Sequence, residues 1–175
     1  KNVLARARLG RMLALAGLPD RALEVISPAL VTTPDDAGLL TVRAAANMLK
    51  GDLAAARKDA ERAVKLEPAN EEAVAVLAAL LRRAGEGREA VALVSKAVTA
   101  TPKSVDMRLV LAQLLVDQQR NAEAQKQLEE IIRLEPGNLV HRYRLAQLHL
   151  FTKNVDGAEA TLRQAVKANP DSVEA

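Results

Sequence analysis

The chain has 175 residues, 49% of them hydrophobic and 27% charged, with a net charge of +3 and no cysteine. The lack of cysteine excludes a disulfide framework and a thiolate metal site. The longest mainly apolar stretches, such as Ala73 to Leu81 and Leu109 to Val116, fall well short of the roughly 18 residues that a membrane-spanning helix needs. Lys and Arg are interleaved with Asp and Glu throughout, so no single-sign stripe exists to track phosphates and a nucleic-acid partner is not expected.

Pro34, Pro68, Pro102, Pro136 and Pro170 recur every 34 residues. Two residues after each proline, and in the same register at Asn2, stands a residue suited to a helix N-cap: Asn2, Asp36, Asn70, Ser104, Asn138 and Ser172. Proline stops one helix and the cap starts the next. The chain therefore divides into units 3–36, 37–70, 71–104, 105–138 and 139–172, with Val173 to Ala175 opening a sixth, as a single array over 1–175. The spacing predicts a helical hairpin in each unit. In the first, Gly10 sits mid-helix, Gly17 makes the turn, and Ala22 and Ala29 open and close the second helix. The second unit repeats this with Ala44, Gly51, Ala56 and Ala63.

The third unit is the clearest, with helices expected over about 72–83 and 88–99 around Ala84-Gly85-Glu86-Gly87. Leu77, Leu80 and Leu81 share a face of its first helix, and Val91, Val94 and Val98 a face of its second. Its small-residue positions are Ala78, Ala90 and Ala97. The fourth unit has Ala112, Ala124 and, breaking the column, Ile131; the fifth has Ala146, Ala158 and Ala165. In these last two units Gln119 and Lys153 replace the turn glycine, so looser or differently shaped turns are expected there, with Asn121 or Asn154 available as a left-handed residue.

A 34-residue helix-turn-helix with small residues at three columns, a turn glycine and a terminal proline resembles the tetratricopeptide repeat, and the segments KLEPAN and RLEPGN are similar to its usual ending. The resemblance implies an all-α, right-handed superhelical α-solenoid of helical hairpins whose first helices line a concave groove. The chain departs from the family pattern in aromatic content, Tyr143 and Phe151 being its only aromatic residues. The composition is also similar to that of arrays in bacterial envelope systems, including tetratricopeptide lipoproteins of polysaccharide-export and exosortase systems. Native placement, in the envelope, the periplasm or the cytoplasm, stays open, because the chain opens on Lys1-Asn2 and reads as a piece of a longer protein.

The groove positions that the resemblance implies are the second, fifth, ninth and twelfth of each unit. From these the candidate contacts are Arg11, Thr41, Ala45, Met48, Ala75, Ala79, Arg82, Leu109, Gln113, Val116, Tyr143 and Gln147. Met48, Leu109, Val116 and Tyr143 would anchor a partner through apolar contact, and Arg11, Arg82, Gln113 and Gln147 through polar contact. Family members that bind the C-terminal carboxylate of cytosolic chaperones use a Lys-x-x-x-Asn step on a first helix. That step is absent from every unit, the fifth and ninth positions reading Ala7/Arg11, Thr41/Ala45, Ala75/Ala79, Leu109/Gln113 and Tyr143/Gln147.

Catalytic and metal readings fare poorly. His141 and His149 lie about two helical turns, or roughly 12 Å, apart, too far to share one metal ion. Ser27, Ser95, Ser104 and Ser172 have helix, cap or boundary settings without a strained nucleophile elbow. Glu71-Glu72 suits a helix start and Glu129-Glu130 a solvated face. The expected function is a non-enzymatic scaffold without cofactor that binds a protein or peptide segment in its groove. The alternatives are a scaffold whose open ends let copies stack into a homo-oligomer, and the non-catalytic region of a larger enzyme.

Overall fold

The structure is a computed structural model that describes residues 2–168. Ten helices follow in chain order among the described residues: α1 (Val3–Leu15), α2 (Pro19–Thr32), α3 (Ala37–Lys50), α4 (Leu53–Leu66), α5 (Glu71–Arg83), α6 (Gly87–Ala100), α7 (Val105–Asp117), α8 (Asn121–Leu134), α9 (Leu139–Phe151) and α10 (Val155–Ala168). Each odd-numbered helix begins at a side-chain cap. Asn2, Asp36, Asn70 and Ser104 accept hydrogen bonds from the N–H groups of Ala5, Leu39, Ala73 and Met107 at 2.8–3.2 Å. Asn138 accepts from the Val140 N–H at 3.2 Å. Each cap satisfies a donor with no partner inside its helix, worth about 1 kcal/mol. Pro34, Pro68, Pro102 and Pro136 stand just beyond the ends of α2, α4, α6 and α8. Arg108 donates twice to the Pro102 carbonyl, at 3.0 and 2.7 Å, and Arg142 to that of Pro136 at 2.5 Å, tying two of these boundaries to the helix that follows. Pro170, Ser172 and the expected start of a sixth unit lie outside the described residues.

The expectation of different turns in the last two hairpins is corrected. Gln119 and Lys153 themselves take the left-handed conformation, with φ of 59° and 61°, alongside Gly17, Gly51 and Gly85 at 72°, 85° and 80°. All five turns close with the same pair of backbone bonds. Gly51 N–H donates to Met48 and Asp52 N–H to Asn47; Gln119 donates to Val116 and Arg120 to Leu115; Lys153 donates to Leu150 and Asn154 to His149. These bonds satisfy the last carbonyls of the first helix. The packing of the two helices holds the turn in shape, and Gln119 and Lys153 bear the steric cost.

Close packing of each hairpin follows from the small columns. Ala22, Ala56, Ala90 and Ala124 are fully buried, and Gly10, Ala44, Ala78, Ala112 and Ala146 are buried mid-helix. At Gly10 even a methyl does not fit: a Cβ there would lie 2.7 Å from Ile26 Cγ2 and 3.0 Å from Val42 Cγ1. Ile26 is fully enclosed and Val42 nearly so, which leaves neither free to retreat. Ile131, the exception in its column, is completely buried.

The helices form two compact units, α1–α6 up to Ala100 and α7–α10 from Thr101. In the first, α1 packs on α2 and α3, α3 on α2, α4 and α5, and α5 on α4 and α6. Ile26, Leu39, Leu40, Val74 and Val94 are buried there. In the second, α7 packs on α8, α8 on α9 and α9 on α10, with Met107, Leu128, Ile131 and Leu145 buried. One hairpin replaces an apolar pair with ions. Arg43 on α3 grips Asp59 on α4 through two bonds of 2.6 and 2.7 Å, where the first hairpin has Leu9 and Val25 and the third Leu77 and Leu93. Asp59 is buried, and this bidentate hydrogen bonding raises the Arg43 pKa.

Substitutions at Gly10 and at the two left-handed turn residues test this packing. Gly10→Ala gains about 1 kcal/mol of helix propensity and loses about 1–3 kcal/mol to overpacking. Thermal unfolding should show a net destabilisation of about 1 kcal/mol, partly recovered when Ile26→Leu removes the obstructing methyl. Conversely, Gln119→Gly and Lys153→Gly should each stabilise the protein by up to about 1 kcal/mol in urea unfolding, the left-handed strain removed exceeding the added chain entropy.

Candidate partner-binding grooves

In the first unit, α1, α3 and α5 lie side by side and leave a groove of about 390 Å³. Its floor is low because alanine lines it: Ala14, Ala45, Ala75 and Ala79, with Val42, Val76 and Met48 between them. Leu15 and Leu49 form a rim, 82% and 53% exposed, a large apolar area left to solvent. The polar wall groups are Arg11 on α1 and Glu72 on α5, an ion pair of 3.3 Å that reaches over α3. Both partners are substantially exposed, so the pair contributes no more than about 1 kcal/mol and weakens with salt.

The second unit has a cleft of about 240 Å³ between α7 and α9. Leu109, Ala112, Gln113 and Val116 come from α7, Leu128 from α8, and Arg144, Gln147, Leu148 and Phe151 from α9. The Gln113 amide donates to Asp117 at 2.9 Å. Phe151 is 67% exposed. A third concavity lies on the outer side of α1, lined by Asn2, Ala5, Arg6, Leu9 and Val25. Leu9 and Met12 are well exposed on α1, whereas the corresponding Leu77 and Leu80 of α5 and Leu145 and Leu148 of α9 are buried.

Of the residues expected from sequence, Arg11, Ala45, Met48, Ala75 and Ala79 line the first groove, and Leu109, Gln113, Val116 and Gln147 line the cleft. Thr41, Arg82 and Tyr143 line neither. Thr41 is buried, and its hydroxyl donates to the Ala37 carbonyl at 2.8 Å, which leaves it no surface to offer. Glu72, at the second position of its unit, falls on the expected groove face, whereas sequence reasoning missed Leu15 and Leu49 in the groove and Arg144, Leu148 and Phe151 in the cleft. Leu15, Leu49 and Phe151 occupy the thirteenth position of their units and Arg144 the sixth, one residue away from the positions that the repeat pattern selects. Apolar residues at the sixth and thirteenth positions, seven apart on one helix face, were the available signal.

Both histidines are packed into the fold. Buried His141 bonds Glu135 through Nε2 at 2.7 Å, and buried His149 receives the Asn154 amide at Nδ1 at 3.2 Å. Among the described residues no group of three or more His, Asp or Glu side chains is placed to hold a metal ion, and no helix is long and apolar enough to cross a membrane.

A family model described as "Tetratricopeptide repeat" matches residues 115–175. This part of the chain carries the tetratricopeptide repeat, and the 34-residue spacing runs through the units before it. A second model, "Anaphase-promoting complex, cyclosome, subunit 3", matches residues 50–131. No curated protein matches. Among solved structures, the protein is similar to YrrB, described as a TPR protein with an unusual peptide-binding site, at 18% identity and TM-score 0.67 over 97% of this chain and 87% of that one. It is also similar to MamA from Desulfovibrio magneticus RS-1, at 17% identity and TM-score 0.72 over 97% and 99% of the two chains. A thermophilic TPR protein of Thermus thermophilus, TTC0263, has 22% identity and TM-score 0.72 over 97% and 93%. The fold is that of a protein–protein interaction scaffold.

Four surface carboxylates give this chain a dependence on acid. Glu86, Glu123, Glu130 and Glu135 lie below the usual carboxylate range, held there chiefly by hydrogen bonds from Arg57, Arg120, Arg133 and His141 respectively, with Asn138 adding to the effect on Glu135. Their pKa values are lower folded than unfolded. The folded chain therefore binds fewer protons, and the stability they confer, complete above the unfolded value of about 4.3, is lost as pH falls through the folded values. The melting temperature at low ionic strength should drop as pH is lowered from about 5 to 3, and 1 M salt should shrink that drop by screening the pairs.

Proposed function

We propose that the groove of the first unit receives an apolar segment of a partner protein, the chain serving as a scaffold without catalysis of its own. The observation that carries this reading is the combination of an alanine floor with a solvent-exposed leucine rim at Leu15 and Leu49. Small floor residues let a partner's side chains or backbone approach closely, and the rim offers apolar area that burial would remove from water at about 25 cal/mol per Å². Arg11 and Glu72, paired across the groove, supply one donor and one acceptor for orientation. The fold that the chain shares with YrrB supports a peptide-binding role. The missing Lys-x-x-x-Asn step argues against a chaperone C-terminal carboxylate as the ligand.

Selection from a random dodecamer peptide library displayed on phage should enrich apolar sequences on the wild-type chain. Ala45→Glu with Ala79→Glu places two carboxylates on the floor and should lower the affinity of those peptides by at least about 100-fold, since burying an unpaired charge costs several kcal/mol. Circular dichroism of the double variant should retain wild-type helicity. Unchanged affinity with helicity retained overturns the groove reading.

A further inference from the structure

We infer that the α7–α9 cleft recognises an acidic side chain, Asp or Glu, on an extended apolar peptide segment, with Arg144 pairing its carboxylate. The inference rests on the scaffold reading above and adds the chemistry of the partner. Among the described residues α7 and α9 lack the close backbone approach that joins α1 to α3 and α3 to α5, and the gap between them is the cleft. Arg144 stands in its wall at a position occupied by Val42, Val76 and Val110 in the three preceding units. Its guanidinium, which always carries charge, has no ion pair or hydrogen bond with any described residue. The lining contains one cation, two amides and no carboxylate, so its unmatched charge is positive.

Phe151 lies two helical turns from Arg144, roughly 10 Å along α9. Together with Leu109, Val116 and Leu148 it makes the rest of the lining apolar. An extended segment leaves its backbone N–H and C=O groups free for the amides of Gln113 and Gln147, whereas a helix uses them internally. In a polyproline II segment, which repeats every three residues and rises about 3.1 Å per residue, a separation of roughly 10 Å along one face corresponds to an acidic and a large apolar residue about three positions apart. Gln147 is placed to hydrogen-bond the carboxylate or the peptide backbone. A bidentate guanidinium–carboxylate bond gives such a site direction as well as attraction.

Selection from the same dodecamer library, on the wild type and on Arg144→Gln, tests the assignment. Wild-type protein should enrich Asp or Glu about three residues from Phe, Leu, Ile or Met. Changing that acid to its amide in a synthetic copy should weaken binding at least about tenfold at low salt, and the loss should vanish on Arg144→Gln. Arg144 is exposed, so this variant should keep wild-type helicity. A consensus without acid, or an acid preference that survives Arg144→Gln, overturns the inference. Enrichment that Ala45→Glu with Ala79→Glu abolishes and Arg144→Gln leaves intact overturns the cleft alone, and the groove of the first unit stands. Failure to enrich any sequence overturns both.

Discussion

The constraint on which the rest depends is the distance between the two helices of each hairpin. Alanine at the opening of the second helix, buried in all five hairpins, and Gly or Ala midway along the first let the backbones approach closely. The size of the partner residue varies to match. Gly10 faces Ile26, the enclosed side chain that leaves no room for a Cβ, while the corresponding second-hairpin positions, Ala44 and Ala60, are both small. Volume is shared differently within each hairpin, and density is kept.

Close packing also explains why five turns of unequal composition share one shape. Glycine is the low-cost residue for a left-handed turn, yet Gln119 and Lys153 take the same conformation and the same two backbone bonds as Gly51. The carbonyls at the end of each first helix need donors, and the next helix must begin close enough to bury its alanine. Both demands act on the turn from outside it. A preference of about 1 kcal/mol at one residue yields to them.

The regular parts of the fold were legible because each was written twice. A proline and a cap mark every described boundary, and two columns of small residues mark every hairpin. What escaped depended on side chains whose meaning needs a neighbour. Arg43 and Asp59 look like two surface charges in sequence; they stand where other hairpins have apolar residues and form a buried-edge pair. Thr41 fell on the expected groove face, but it is buried against its own helix, with its hydroxyl satisfied four residues back. Asp52 and Asn154, which cap α4 and α10, were hidden because the other second helices start without such a cap column.

The concave surfaces were legible only to within one residue, and helix geometry explains the error. Successive positions on a helix differ by about 100°, so a face defined by the second, fifth, ninth and twelfth positions borders one through the sixth, ninth and thirteenth. The inward wall includes both where first helices lie side by side. At the ninth position Arg11, Ala45, Ala79, Gln113 and Gln147 line these surfaces because the two faces share it. The sixth and thirteenth positions then decide the character of each surface. Val42 and Val76 with Leu15 and Leu49 make the first groove apolar, while Arg144 and Phe151 put a charge and an aromatic ring into the second unit's cleft. One scaffold geometry thus presents two chemically distinct surfaces, and the residues that distinguish them lie beside the positions that the repeat pattern singles out.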